Sequence, residues 1–373
     1  MSVQFTDFDR RMMQRALELA ALGRYSTQPN PRVGCVIVQG ERIVGEGWHR
    51  KSGEAHAEPI ALQAAGDAAR GATVYVTLEP HSHQSRTPPC TQALIKAGVK
   101  RVVSAALDPN PRVHGHGVRQ LRDAGVIAQT GLLETAAREL NAGFEKRMAT
   151  GLPRVTVKLG ASLDGRVALH NGASRWITSD VSRADVQKLR AESGAVLTGI
   201  ATLLADDPRL TVRDDTIDLQ GRQPLRVVLD STLRTPAAAR LFAEVGDVVI
   251  FTADDAAVRQ DLDERARIIA VPRAATGGLD LSQVLAHLGK LQCNDVLVEA
   301  GPTLAGSFIE AGLADELIVY MAPVLLGPDA RPMLRLPRLE RLADRVQFSL
   351  HRTEAMGPDV KLVLRPAGTT LVG

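Results

Sequence analysis

The chain has 373 residues, of which 45% are hydrophobic and 23% charged, enough for about two ordinary globular domains and too apolar for bulk disorder. A net charge of only +3 and 3% aromatic residues argue against a nucleic-acid partner, because neither a basic surface nor a row of stacking platforms is available. No run of about 18 apolar residues suggests a membrane span, the N-terminus does not read as a secretory signal, and three cysteines give no disulfide framework, so a cytoplasmic protein is expected.

The first helix is predicted over Phe8 to Leu22, with Gly23 placed to end it. Gln28-Pro29-Asn30-Pro31 must be a loop, and strands follow at Val33–Val38 and Arg42–Trp48. His56 opens a helix running to about Ala65. A strand at Ala72–Thr77 leads to Leu78-Glu79-Pro80-His81, and Cys90 starts the next helix. Strand Arg101–Ala106, helix Gly117–Ala124, strand Val126–Gln129 and helix Leu133–Arg147 complete an alternating unit. Gly151, Leu152 and Pro153 mark the boundary, giving domains 1–150 and 151–373. The second half again alternates, with strands at Arg154–Gly160, Ala195–Thr198, Leu225–Asp230, Asp247–Thr252, Arg267–Ala270, Asp295–Glu299, Glu316–Pro323 and Val360–Arg365. Its helices are expected at Asp180–Glu192, Leu281–Leu291 and Thr303–Ala311, covering a mainly parallel sheet. The fold class is α/β in both domains.

The densest chemistry lies between Gly53 and Cys90. His56-Ala-Glu58, then Pro80-His81-Ser-His83 and Pro89-Cys90, is close to the signature of zinc-dependent base deaminases. Imidazole and thiolate ligands leave one zinc position open for water, and a carboxylate that is not a ligand, Glu58, moves protons. His56 and Cys90 both fall at helix starts, where the partial positive charge favours a thiolate. From the residues alone three readings stay open: His81 as third ligand, His83 in its place, or an impaired site. Cys35 reads as a small buried apolar residue and Cys293 as having no special role.

No Gly-x-Gly-x-x-Gly follows a strand in the second half, so a Rossmann fingerprint is absent. Glu299-Ala-Gly301-Pro302-Thr303 offers instead a strand, a glycine turn and a helix start that suit an anion. Paired Asp206 and Asp207 sit before Pro208 near the end of an apolar segment.

Taken together, His56-Ala-Glu58, Tyr75-Val-Thr-Leu-Glu-Pro80, Ser85-Arg-Thr-Pro-Pro-Cys90 and Asp108-Pro-Asn-Pro111 resemble the bifunctional deaminase–reductase family of riboflavin biosynthesis. So do Lys158-Leu-Gly-Ala-Ser-Leu-Asp-Gly165, Ser174-Arg-Trp176, Leu204-Ala-Asp-Asp-Pro208 and Val298-Glu-Ala-Gly-Pro302, in the same order along the chain. The resemblance implies a zinc-dependent, cytidine-deaminase-like N-terminal domain and an NADPH-dependent, dihydrofolate-reductase-like C-terminal domain. The first would deaminate 2,5-diamino-6-(5-phosphoribosylamino)pyrimidin-4(3H)-one; the second would reduce the ribosyl group of the product to a ribityl chain.

The same resemblance assigns zinc to His56, His81 and Cys90, catalysis to Glu58, and the base pocket to Asn30. It gives Lys158, Ser174, Arg190, Leu210, Arg213 and Glu299 to the phosphoribosyl substrate. Gly160, Trp176, Thr202, Asp206, Ser231 and the run Gly301, Pro302, Thr303, Leu304, Ala305, Gly306 and Ser307 go to NADPH. The chain departs from the family at His81, where cysteine is usual, and at Ser85, where glycine is common. Competing readings are a reductase whose deaminase domain is impaired by His81, and a zinc-bearing nucleic-acid-binding or RNA-editing protein. A homodimer without nucleic-acid or membrane partners is expected.

Overall fold

The computed structural model of the chain describes residues 4–83, 88–111, 113–257, 259–275 and 277–368; Ser85 lies outside them. The chain divides into two compact units, Met1–Gly151 and Leu152–Gly373. No helix among the described residues is long and apolar enough to cross a membrane.

The first unit begins with α1 (Asp7–Leu22), where Thr6 caps the helix and Asp9 returns the bond in a capping box. Next come the antiparallel strands β1 (Gly34–Gln39) and β2 (Arg42–Trp48), followed by α2 (Ala57–Ala65). Then β3 (Thr73–Leu78), α3 (Cys90–Ala97), β4 (Arg101–Ala106), α4 (His116–Asp123) and β5 (Ile127–Thr130) alternate. Helices α5 (Glu134–Leu140) and α6 (Ala142–Thr150) end the unit. The sheet order is β2-β1-β3-β4-β5, with β3, β4 and β5 parallel.

Both sheet faces are covered, which is why the strands read as nearly unbroken apolar runs. Cys35, Ile37, Val74 and Val76 face Ala57, Ala61 and Leu94 on one side; Val36, Val38, Tyr75 and Val103 face Met13 and Ala16 on the other. The seat of α2 is unusually close. A Cβ at Gly47 would lie 2.5 Å from the Ala57 carbonyl oxygen, and one at Gly45 would lie 2.2 Å from that of Ala61. Bare strand backbone against an alanine-faced helix therefore fixes how near α2, and the histidine that caps it, comes to the sheet.

The single helix expected over Leu133–Arg147 is two helices broken at Asn141. The Asn141 side chain accepts from the Arg32 backbone N–H (2.8 Å) and donates to the Arg32 carbonyl (2.9 Å), so a tertiary contact interrupts the helix.

The second unit runs β6 (Arg154–Ser162), β7 (Arg166–Ala168), α7 (Asp180–Glu192), β8 (Ala195–Gly199), α8 (Ile200–Asp206), β9 (Leu225–Leu229) and β10 (Val248–Ala253). It continues with α9 (Gln260–Asp263), β11 (Arg267–Val271), α10 (Leu281–Lys290), β12 (Asp295–Glu299), α11 (Pro302–Glu310), β13 (Glu316–Ala322) and β14 (Arg331–Pro332). A hairpin of β15 (Phe348–Met356) and β16 (Asp359–Pro366) closes it. Its nine-stranded sheet has the order β11-β10-β9-β8-β12-β6-β13-β16-β15, with parallel pairing from β11 to β13 and β16 antiparallel to both β13 and β15. Strand β15 has no counterpart in the sequence reading. It is exposed along most of its length and lacks the apolar alternation that marks a half-buried strand.

Candidate functional sites

In the first unit, three elements meet at one point. His56 is the N-cap of α2, Glu58 lies in that helix's first turn, and Cys90 is the first residue of α3. His81 is brought in by the segment after β3, where the Thr91 hydroxyl and backbone N–H both donate to its carbonyl (3.4 and 3.3 Å). The Cys90 Sγ and His56 Nδ1 are 3.5 Å apart, the His56 and His81 rings are 4.6 Å apart, and one ligand atom from each of the three lies within 4.8 Å of the others. Ligands around a tetrahedral zinc at ordinary Zn–N and Zn–S lengths stand about 3.3–3.6 Å apart, so the cluster fits the ion with small adjustments. The His83 ring lies beyond His81, 5.9 Å from it.

Burial governs the protonation states. It pushes His56 down to about 4, helped by His81 and His49, so the imidazole is neutral and able to ligate. Burial raises Glu58, against the pull of its own backbone N–H and of Cys90. The Cys90 thiol is pushed far up, first by burial and then by the Glu58 charge. A divalent cation supplies the opposing charge that deprotonates a coordinating thiol.

Asn30 is held beside this cluster through His49, which the sequence reading passed over. Asn30 Nδ2 is 3.0 Å from His49 Nε2, His49 Nδ1 is 3.1 Å from the Ala55 carbonyl, and the His49 ring stands 5.3 Å from that of His56. Its signal was a histidine ending a strand just before the metal motif. Glu79 was also missed. Its buried carboxylate accepts from the backbone N–H groups of Asp108 (3.2 Å), Gly115 (2.9 Å) and Val118 (3.1 Å), tying the Asp108-Pro-Asn-Pro loop to the segment that carries His81.

In the second unit the carboxyl ends of parallel strands carry the candidate residues, where open α/β sheets bind ligands. Lys158 on β6 and Glu299 on β12 are register neighbours. Arg190 on α7 grips Glu299 with two bonds (2.5 and 2.9 Å) and donates to the Thr211 carbonyl (3.0 Å). Arg213 donates to the same carbonyl (3.3 Å), and Leu210 takes a left-handed backbone (φ 58°), so this loop folds back onto the Arg190–Glu299 pair. Burial raises Glu299, but the charge and hydrogen bonds of Arg190, then Lys158 and Arg213, hold it below the usual carboxylate range. Burial and Arg190 lower Arg213.

The Thr202 hydroxyl accepts from the Gly301 N–H (3.0 Å), joining the starts of α8 and α11. An ideal Cβ at Gly160 would touch Thr178 at 3.3 Å and Lys158 Nζ at 3.9 Å, so glycine keeps that strand end open beside the lysine. Trp176 is 69% exposed, with the Arg183 guanidinium 4.5 Å from its ring, and the Asp206 carbonyl accepts from Arg175 (2.9 Å). Pro302 opens α11. Thr303 and Ser307 are on its accessible side, while Leu304 packs toward Gly199. Ala305 is fully buried, and Gly306 sits where a Cβ would meet the Arg335 carbonyl oxygen at 2.0 Å, so neither turns a side-chain face outward. Ser231 follows β9, two strands from β12, and Ser174 is half-buried ahead of Trp176.

The chain matches two family models in order: the cytidine and deoxycytidylate deaminase zinc-binding region over residues 6–106, and the RibD C-terminal domain over residues 153–362. It is similar to the riboflavin biosynthesis protein RibD of Escherichia coli, 51% identical over 95% of this chain and 99% of that one. Among solved structures, RibD of Acinetobacter baumannii superposes with a TM-score of 0.91 at 45% identity, covering 96% of this chain and 99% of the other. A diaminohydroxyphosphoribosylaminopyrimidine deaminase/5-amino-6-(5-phosphoribosylamino)uracil reductase from Thermotoga maritima superposes with a TM-score of 0.84 at 32% identity, again over 96% and 99%.

Proposed function

The chain belongs to the RibD family, the bifunctional deaminases/reductases of riboflavin biosynthesis, and we propose how its residues divide that work. The N-terminal unit deaminates 2,5-diamino-6-(5-phosphoribosylamino)pyrimidin-4(3H)-one, and the C-terminal unit reduces 5-amino-6-(5-phosphoribosylamino)uracil with NADPH. The observation that carries the reading is the convergence of His56, His81 and Cys90 beside the buried Glu58.

His56, His81 and Cys90 would hold the zinc, with His81 doing as a neutral imidazole what a thiolate would do with a negative charge. Bound there, zinc lowers the pKa of water and so provides a nucleophile at neutral pH. Glu58 would take one proton from that water at its carboxylate and give it to the ring nitrogen, then carry the remaining hydroxyl proton to the amine, which leaves as ammonia as the carbonyl forms. Its burial suits it to both states. Asn30, steadied by His49, orients the pyrimidine.

In the reductase unit, Arg190 and Arg213 present guanidinium donors to the phosphoribosyl group, and Ser174 and Leu210 line the same site. Gly160, Trp176, Thr202, Asp206, Ser231 and the start of α11 would hold NADPH, which would supply the hydride for C1′ of the opened sugar. Opening the sugar would break the C1′–O4′ bond, the amine lone pair holding C1′ as an iminium while O4′ takes a proton from water. Lys158, on the strand between β12 and β13, is the ammonium that holds this oxygen as the proton is delivered. We read the protein as a cytoplasmic homodimer: its three cysteines are buried and outside any disulfide, and the long edge strand β15 is exposed along most of its length.

The test is zinc content together with the two half-reactions measured separately. One zinc per chain, ammonia release from the diaminopyrimidine and NADPH oxidation with the deaminated product are expected. His81→Ala should lose metal and ammonia release while keeping NADPH oxidation. Full zinc retention by that variant would remove His81 from the ligand set, and NADPH oxidation without ammonia release from the wild type would leave a reductase alone.

A further inference from the structure

Helix α7 packs on the reductase sheet through Val186 against Ile318, Tyr320 and Val363, and polar groups clamp it on either side of that contact. Asp359 accepts from the Ser179 N–H (2.7 Å) and the Ser182 hydroxyl (2.6 Å), and two turns further on Arg190 grips Glu299. Between them lies a cluster that the reaction as described above does not use. The Tyr320 hydroxyl on β13 donates to Asp185 Oδ2 on α7 (2.6 Å), and Lys361 on β16 donates to the same oxygen (2.7 Å). Tyr320 and Lys361 are register partners, both nearly inaccessible to solvent. The Tyr320 ring also has Lys158 Nζ 5.8 Å from its centroid, as Lys361 Nζ is.

We propose that Tyr320, polarised by Asp185, is a positioning residue for Lys158, its ring face holding the lysine ammonium charged and in place at the reductase site. A phenol donating to a carboxylate gains electron density, which strengthens the attraction of its face for a cation. The attraction is needed because Lys158 is largely withdrawn from water. Burial lowers it, Glu299 on β12 raises it, and Arg190 on α7 lowers it again. Glu299 is shared with Arg190 through two bonds, so its pull on Lys158 is partly offset by the Arg190 charge, and the ring adds to what favours the charged lysine. Burial and Asp185 keep Tyr320 itself protonated, a steady donor across the working pH range. Lys361 neutralises Asp185 without a second water-exposed charge.

The inference rests on the reading of Lys158 as a substrate-facing residue, and the experiment separates the two. In the full-length protein, the ionisation of Lys158 is followed by trace acetylation with acetic anhydride at successive pH values, reading the Lys158 peptide by mass spectrometry. The alkaline limb of reductase kcat/KM is measured alongside. Tyr320→Leu should move the Lys158 midpoint and the alkaline limb down together by about 0.5–1 pH unit. Tyr320→Phe, which keeps a ring, should move them by less than half as much. Asp185→Asn keeps the size of the side chain and should shift them in the same direction, which covers the case in which Tyr320→Leu does not fold. An unchanged midpoint in folded Tyr320→Leu, or in Asp185→Asn where Tyr320→Leu does not fold, overturns the proposal. A Lys158→Met variant that retains full reductase activity would instead overturn the assignment of Lys158.

Discussion

The two sites are built on opposite plans. The deaminase cluster is compact: a helix cap, a helix start and a short segment after a strand bring two imidazoles, a thiol and a carboxylate together within 35 residues of sequence, and burial keeps the histidine neutral. The reductase site is spread across several neighbouring strands and helices, and its charges compensate one another in pairs. A site of the first kind depends on a few ligand atoms and is lost all at once. A site of the second kind depends on balance, so its parts fail by degrees and with pH.

Removing single groups should expose that contrast. Glu58→Gln should lower ammonia release by about 10²–10⁴-fold while leaving NADPH oxidation within about twofold, measured on the same preparation. Comparable losses in both half-reactions would mean that the sites are not separable. Next in size is Glu299→Gln, which leaves Arg190 buried without its charge partner and should destabilise the reductase unit by about 3 kcal/mol in denaturant titrations. The pH sign follows from the depressed Glu299. Its contribution is full above the unfolded value of about 4.3 and is lost as pH falls through the lower folded value, so wild type and variant should converge in stability toward acid pH.

The compact site should also be breakable from behind. Gly47→Val places side-chain atoms where the Ala57 carbonyl sits and should cost about 1–3 kcal/mol together with deaminase activity, by shifting α2. An unaffected deaminase would show that α2 has freedom to shift. The smallest expected effect concerns Asp108, which burial, with Glu79 and Glu145, pushes up to about 6. A raised carboxyl contributes stability that is full below about 3.9 and is lost as pH rises through about 6. Asp108→Asn should therefore flatten the stability of the deaminase unit between pH 4 and 7, by about 1–2 kcal/mol at the upper end.

What could be read from sequence follows the same division. His56, Glu58 and Cys90 announce themselves because the motif is local and the helix starts are marked by turn chemistry. His49 offers only its place at the end of a strand before the metal motif, and Glu79 acts through backbone groups 29 to 39 residues away that local patterning does not reveal. The break at Asn141 is hidden for the same reason, since its partner is Arg32. Alternating strands and helices made the α/β class of the reductase unit visible, yet β15 carries no apolar face to betray it. Asp185, Tyr320 and Lys361 meet only because a helix crosses two adjoining strands, and each alone reads as an unremarkable polar or aromatic residue.

The bare backbone of Gly45 and Gly47 has a bearing on engineering. Transplanting the metal-binding residues into another scaffold would carry over the donors without the shallow berth that sets their depth. A recipient sheet with ordinary side chains at those places would lift the helix away, and the imported histidine would sit too high to reach its partners.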